Sequence, residues 1–568
     1  MKINFKVISV IIIFSMLLLN IGCGKKNMEY GGPIGESETT ENQTEPVESE
    51  KINTEPYFIN LDGYTVIYPK NATDKLIGYL EKFCELLEDY TGAKIDLASD
   101  AKSEQGKEIL LGNTSRKESG DAKDELSKHE KQEGAYIIRN YGEKIAIAGR
   151  NEKVIIRAMK RFLMNYAKAS ETEKSVLFSH GEREIGVLNT DSMLFENFTE
   201  MYVETQSTIA SLQSSKEPDS YVYSYESIIE LAHNGEDNGT LIATYTVYSK
   251  DTRRIYKSTD GGESWDCISY VRNTISENSI KSSMQASLFE LPRDMGRFKA
   301  GTLFLADSTY VTNSDGIEAT EITLYYSTDL GKNWTSYCQL KSGLNYSVHL
   351  GVYEPFLYYD EETERVYCFY ADETYPKASE GVQKLVCHYT DDMDNWSATV
   401  DVINGDDTAW RPGMPCVTRM GNGEYFLVYE IYEESMGAPV YYQKLNSLNE
   451  FRSKDYGTHL VTADGKSIGA SPWCAWTPAG GECGTLVVVG SGSNKAIWGQ
   501  SDMFLSFDYG ETFIAIKNPV QVLSYGVRKI GYSPSVFFSS DGETLHYCTN
   551  TADFNCRVSV IYSNIKIW

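Results

Sequence analysis

The sequence predicts a mainly β protein, a six-bladed β-propeller preceded by a small α/β domain. Three observations predict it. First, a short motif recurs as Ser258-Thr-Asp260-Gly-Gly262-Glu-Ser-Trp265, Ser327-Thr-Asp329-Leu-Gly331-Lys-Asn-Trp334 and Ser506-Phe-Asp508-Tyr-Gly510-Glu-Thr-Phe513. A worn copy reads Tyr389-Thr-Asp391-Asp-Met393-Asp-Asn-Trp396, and Asn446-Ser-Leu-Asn-Glu-Phe451 is a fainter echo. Between the markers Asp260, Asp329, Asp391, Asn446 and Asp508 the steps are 69, 62, 55 and 62 residues, a period of stacked sheets. Second, from about Met201 the chain is short strands broken by Gly, Asn and Asp turns, and roughly 370 residues at about 62 per blade make six blades. Third, residues 57–185 break the repeat and mix helical with strand periodicity.

The amino-terminal segment reads as targeting rather than fold. Lys2 and Lys6 precede the apolar run Val7–Leu19, too short for a comfortable membrane span. The run ends Leu19-Asn-Ile-Gly22-Cys23-Gly24, which resembles a bacterial lipobox with Asn20 where Leu is usual. That resemblance implies residues 1–23 as a signal peptide, Cys23 as the lipidated residue, and attachment to the outer face of the cell. Residues 24–56 are polar, hold almost no aliphatic side chains, and read as a solvated tether.

The α/β domain, residues 57–185, is expected to start with a strand at Tyr64–Tyr68 and a helix opened by Asn71–Asp74. Leu76, Ile77, Leu80, Phe83, Cys84 and Leu87 recur on one helical face, and Gly92 stands where a helix stops. Strands at Glu108–Gly112, Gly134–Arg139 and Lys144–Ala148 and a second helix from Glu152 to Tyr166 complete the order β-α-β-β-β-α. The domain resembles the accessory domain ahead of some hexosaminidase and α-glucuronidase modules, which implies a spacer or docking role.

The propeller, residues 192–568, is expected to close through its last strand, Val558–Trp568, completing a blade begun by the first propeller strands. In each motif Ser and Asp bond neighbouring backbone N–H groups, Gly takes a positive φ, and the aromatic ring packs between sheets. The motif resembles the Asp box of the sialidase superfamily, which implies a structural role on outer turns.

Eighty acidic against 53 basic residues give a net charge of −27. Such a surface repels nucleic acid and anionic lipid, so neither is an expected partner and membrane association would run only through Cys23. Seven His and ten further Cys are scattered without zinc-ligand spacing. No cofactor and no metal is expected, no disulfide pairing is assigned, and a monomer is expected.

Glycoside cleavage needs two carboxyl groups flanking the bond. Glu354, in Gly351-Val-Tyr-Glu354-Pro, and Glu430, ending Tyr425-Phe-Leu-Val-Tyr-Glu430, each interrupt or end an otherwise apolar strand, where an acid is costly unless it faces the channel. The order Glu354-Pro-Phe, Tyr370-Ala-Asp372-Glu373, Gln383-Lys384-Leu-Val, Arg411-Pro-Gly-Met-Pro415 and Tyr429-Glu430 resembles glycoside hydrolase family 93, between about Tyr225 and Tyr532. That family consists of six-bladed exo-α-1,5-L-arabinanases that release arabinobiose with retention. The resemblance implies Glu354 and Glu430 as the catalytic carboxylates and Tyr525 as the active-site tyrosine. Glu354 is expected as acid/base with a raised pKa, and Glu430 as nucleophile with a normal or lowered one, though the two roles are exchangeable. Tyr225, Glu226, Asp372, Trp410 and Arg411 are the candidate substrate-binding residues; Arg411 reads equally well as a structural ion-pair residue.

Two rivals stay open. A sialidase needs three arginines for its anionic sugar. Ser224 stands where the first belongs, Glu226 would repel the sugar, and Arg411 and Arg528 supply two. The other rival is a propeller that only binds glycan or protein.

Overall fold

The computed structural model describes residues 54–567 except 171, 180, 189–191, 212–223, 248–250, 376–381, 406–409, 434, 494–495 and 528. The signal peptide, Cys23, the tether and Arg528 lie outside the described residues. Among those described, no helix is long and apolar enough to cross a membrane.

The amino-terminal layer is a six-stranded mixed sheet. Its order is Asp96–Ser99, Thr65–Tyr68, Glu108–Leu111, Lys144–Gly149, Ala135–Asn140 and Arg183–Val187; the first four are parallel and the last two antiparallel additions. Helix Asp74–Thr91 starts where Thr73 Oγ1 accepts the Leu76 N–H and stops at Gly92 with φ 70°, as the sequence predicts. Helix Glu152–Phe162 follows Asn151, whose side chain accepts the Val154 N–H.

The order β-α-β-β-β-α is incomplete. Helix Lys117–His129 was not expected, because it buries only Ser119, Ala122 and Leu126 and its apolar stripe is faint. Strands Asp96–Ser99 and Arg183–Val187 were missed because the sheet leaves them half covered. Helix Glu152–Phe162 ends four residues early in a π turn, Leu163–Ala167.

Six four- or five-stranded antiparallel sheets follow. Blade 1 runs from Ser224–Glu230 outward to Asp266–Val271, blade 2 from Ser279–Glu290 to Thr335–Ser342, and blade 3 from Val352–Asp360 to Val400–Asn404. Blade 4 runs from Arg411–Arg419 to Thr458–His459 and blade 5 from Ile468–Thr477 to Ile514–Ile516. Blade 6 holds Ser535–Phe538, Thr544–Ala552 and Val558–Ile567, and its next strand is Glu200–Ser211 from the far end of the domain. This pairing closes the ring, since the last strand bonds to one of the first. Buried Arg157 and Lys160 of the α/β layer meet Glu200 of that strand at 3.2 and 3.5 Å.

The repeated motifs cap the outer hairpins. Ser327 Oγ donates to Asp329 at 2.8 Å and accepts the Gly331 N–H at 3.0 Å; Asp329 accepts the Asn333 N–H at 2.9 Å. The Trp334 indole N–H closes on Gly331 O at 2.9 Å. The Ser258 and Ser506 copies repeat the serine and aspartate bonds. In the worn copy the acid is Asp392, not Asp391. Thr390 donates to it at 3.1 Å, Asn395 N–H reaches it at 2.7 Å, and Met393 takes the glycine's place at φ 66°.

Candidate active site

Five inner strands carry a bulge at one level of the central channel. Register breaks fall at Ser224/Ser227, Ser283/Ala286, Tyr353/Phe356, Gly413/Cys416 and Ala470/Trp473. Within them Tyr225, Glu354, Met414 and Ser471 adopt φ of 54°, 62°, 51° and 49°, and Ser533 of blade 6 adopts 56°. Left-handed backbone outside glycine costs on the order of 1–3 kcal/mol per residue and clusters at functional sites. A bulge also re-aims the side chains beside it.

These bulges hold the two carboxyl groups. Glu354 of blade 3 accepts the Met414 N–H of blade 4 through Oε2 at 2.7 Å. Glu430, on the second strand of blade 4 opposite Gly413, accepts the Ser471 N–H of blade 5 through Oε2 at 2.6 Å. Gly413 is needed for this approach, since a Cβ there would lie 2.7 Å from Glu354 Oε2.

Burial pushes Glu354 up to about 7; the Met414 N–H and Arg411 oppose the rise and Glu373 adds to it. Burial pushes Glu430 up to about 8, the charge of Glu354 adds to this, and the Ser471 N–H and Arg411 pull it back. Part of the Glu430 rise therefore vanishes while Glu354 keeps its proton. The two titrate as a pair, the charge of one raising the other. A lowered Glu430, the sequence expectation, is not what burial produces.

Arg411 braces the pair. Its guanidinium pairs with fully buried Glu373, donates to Gln383 Oε1 at 3.2 Å, and lies 3.3 Å from His349 Nδ1 at the exposed rim. Glu373 also accepts the Gly351 N–H at 3.1 Å and the Tyr353 hydroxyl at 3.0 Å. Gln383 donates to Pro412 O at 2.7 Å.

Of the other sequence candidates, Tyr225 and Glu226 line a small cavity with Glu354, while Asp372 and Trp410 make different contacts. Asp372 is buried, 3.3 Å from Lys341, and caps Thr374 at 2.7 Å; its neighbour Glu373 is the acid that reaches Arg411. Half-buried Trp410 packs against Tyr456 and Tyr441 at 4.9 and 6.2 Å between ring centroids. Tyr225 is buried edge-on to Tyr532 at 5.5 Å. Glu226 is 1% exposed.

Tyr525 is 53% exposed, and among the described residues its recorded contact is a backbone one to Cys556. The phenol beside the carboxyl pair is Tyr532. Burial raises its pKa, the charges of Glu430 and Glu354 raise it further, and the Ser471 and Tyr225 hydroxyls act against them. Its turn is held by Asn550, which accepts the Gly531 N–H at 2.5 Å and donates to Lys529 O at 3.1 Å. One signal pointed there. Ser533-Pro534 repeats the steps Glu354-Pro355, Met414-Pro415 and Ser471-Pro472, and Ser533 shares their left-handed backbone, so Tyr532 stands where Tyr353 and Gly413 do. Glu373 and His349 were likewise not singled out.

No protein-family model and no curated protein matches the chain. Solved structures do. The α-L-arabinanase of Penicillium chrysogenum, determined with arabinobiose, is 30% identical at a TM-score of 0.53, over 64% of this chain and 98% of that one. The GH93 α-L-arabinofuranosidase of Fusarium graminearum, also with arabinobiose, is 27% identical at 0.52, over 63% and 98%. This chain belongs to glycoside hydrolase family 93. The match covers about two thirds of the chain, and the site has the pair of carboxyl groups that glycosidase chemistry requires. Among the described residues, no group of three or more His, Cys, Asp or Glu is placed to hold a metal ion.

Proposed function

We propose that this family 93 protein is an exo-acting glycosidase that cleaves neutral α-1,5-L-arabinan with retention. The observation that carries the reading is the carboxyl pair of Glu354 and Glu430, each fastened to the next blade's backbone and close enough for their charges to act on each other and on Tyr532. Arabinobiose in the related Penicillium and Fusarium structures supports the substrate.

Glu354 acts as acid/base. It protonates the leaving glycosidic oxygen, then takes a proton from the incoming water. Glu430 attacks the anomeric carbon, forming a glycosyl ester that this water releases. The Ser471 N–H and the charge of Arg411 favour its charged form, and the Ser471 bond fixes its direction. Arg411 is committed to Glu373 and Ser224 is a buried serine, which argues against an anionic sugar.

The test incubates residues 57–568 with linear arabinan, sialyl-lactose and other plant oligosaccharides. Disaccharide release from arabinan, lost in both E354Q and E430Q, supports the reading; release of sialic acid overturns it. We also propose surface attachment through Cys23, supported by the run Leu19–Gly24. C23S should shift the protein from the membrane to the soluble fraction, and an unchanged distribution rejects attachment.

A further inference from the structure

Six residues occupy one position across the blades, five inside the bulges and the sixth, Pro534, just before the inner strand of blade 6. Four of them are Pro355, Pro415, Pro472 and Pro534; the other two are Glu226 and Gln285. Glu226 and Gln285 line a cavity of about 30 Å³ together with Tyr225, Glu354, Met414 and Ser533. Glu226 is 1% and Gln285 6% exposed. Among the described residues, the carboxyl oxygens of Glu226 have no well-formed hydrogen bond, only the pull of its own backbone N–H, and Oε1 of Gln285 has no partner. Native interiors rarely leave such atoms unpaired.

No Lys or Arg lines the cavity. The titratable groups acting around Glu226 are Tyr547 and Cys548 of blade 6, with Tyr225 beside it and Glu354 across the cavity. Lys529 stands off behind the Tyr532 ring at 5.9 Å. With no cation to pair with, a carboxyl here keeps its proton, and burial raises its pKa well above the usual range. An un-ionised carboxyl has one O–H to donate. A water needs about 10–15 Å³ and two to four polar partners, and this cavity meets both conditions.

We propose that Glu226 and Gln285 form a buried water site beneath Glu354, through which Glu226 acts as a positioning residue for the acid/base. The water accepts the Glu226 O–H and donates to Gln285 Oε1 and to the Glu354 carboxyl, whose Oε2 already takes the Met414 N–H. A donor aimed at Glu354 favours its ionised form and so limits how far burial raises it. The role at Glu354 rests on the glycosidase reading; the water site itself does not.

Infrared difference titration tests both parts without requiring turnover. Wild type minus E226Q should show an un-ionised carboxyl band at neutral pH, and wild type minus E354Q reports the Glu354 midpoint. In E226L that midpoint should rise by about half to one pH unit, while E226Q, which keeps a donor and an acceptor, should hold it. Q285L should move it in the same direction and serves if E226L does not fold. With arabinan as substrate, the alkaline limb of kcat/KM should move with the midpoint, at little change in KM. An ionised Glu226, a metal in the cavity of a high-resolution crystal structure, or an unmoved midpoint in the leucine variants overturns the proposal. An inactive wild type showing the band and the shift would instead count against the glycosidase reading alone.

Discussion

Glu354 reaches from blade 3 to the Met414 N–H of blade 4 at 2.7 Å. One blade on, Glu430 reaches Ser471 in the same way at 2.6 Å. Each carboxyl is thus tied to a left-handed bulge residue of its neighbour, and inter-blade packing sets the position of both groups.

Removing either carboxyl should stop hydrolysis. E354Q should lower kcat on linear arabinan by about 10²–10⁴-fold, and E430Q at least as much. Azide should restore turnover to E430A and form a glycosyl azide of inverted configuration, because a small anion fills the nucleophile's place. Azide rescue of E354A with the same product configuration would exchange the two roles. Proton NMR of the first wild-type product reads retention directly.

The raised carboxyls also predict how stability varies with pH. Their folded pKa values, about 7 and about 8, lie above the usual carboxylate range. The folded state then binds more protons than the unfolded chain, so stability is full at pH 4 and falls as pH rises through 7 to 8. E430Q removes the Glu430 share of that loss. It should melt above wild type at pH 8, by an amount on the order of 1–3 kcal/mol, and match it near pH 4. Equal melting curves at pH 8 would place Glu430 in solvent.

Tyr532 and Tyr525 separate cleanly. Y532F removes the hydroxyl beside Glu430 and should cost about 10-fold or more in kcat, the scale of a lost transition-state hydrogen bond. Y525F should stay within about twofold of wild type, as exposed substitutions away from a site do. Steady-state kinetics of the two variants decide the assignment.

The outer motifs should affect folding and not chemistry. S327A leaves the buried Gly331 N–H without its acceptor and Asp329 without a donor. The loss should be about 1–3 kcal/mol, read by urea denaturation, with kcat unchanged.

The difference between local and long-range information explains what the sequence disclosed. The outer motifs place Ser, Asp, Gly and an aromatic within eight residues, so every hydrogen bond that defines them is local and legible. The worn copy slipped by one residue, from Asp391 to Asp392, because Met393 replaced the glycine that marks the turn. Helix Lys117–His129 escaped notice because it covers the sheet with serine and alanine as much as with leucine.

The amino-acid sequence by itself determined the repeat, the ring of blades, and the two acids set in apolar strands. Only the tertiary structure decided that Tyr532 rather than Tyr525 stands at the pair, that Glu373 rather than Asp372 holds Arg411, and that Glu226 is buried. The physical reason is the bulge. A strand's alternation tells inside from outside only while its register holds, and each inner strand with a register break loses it at the level of the site.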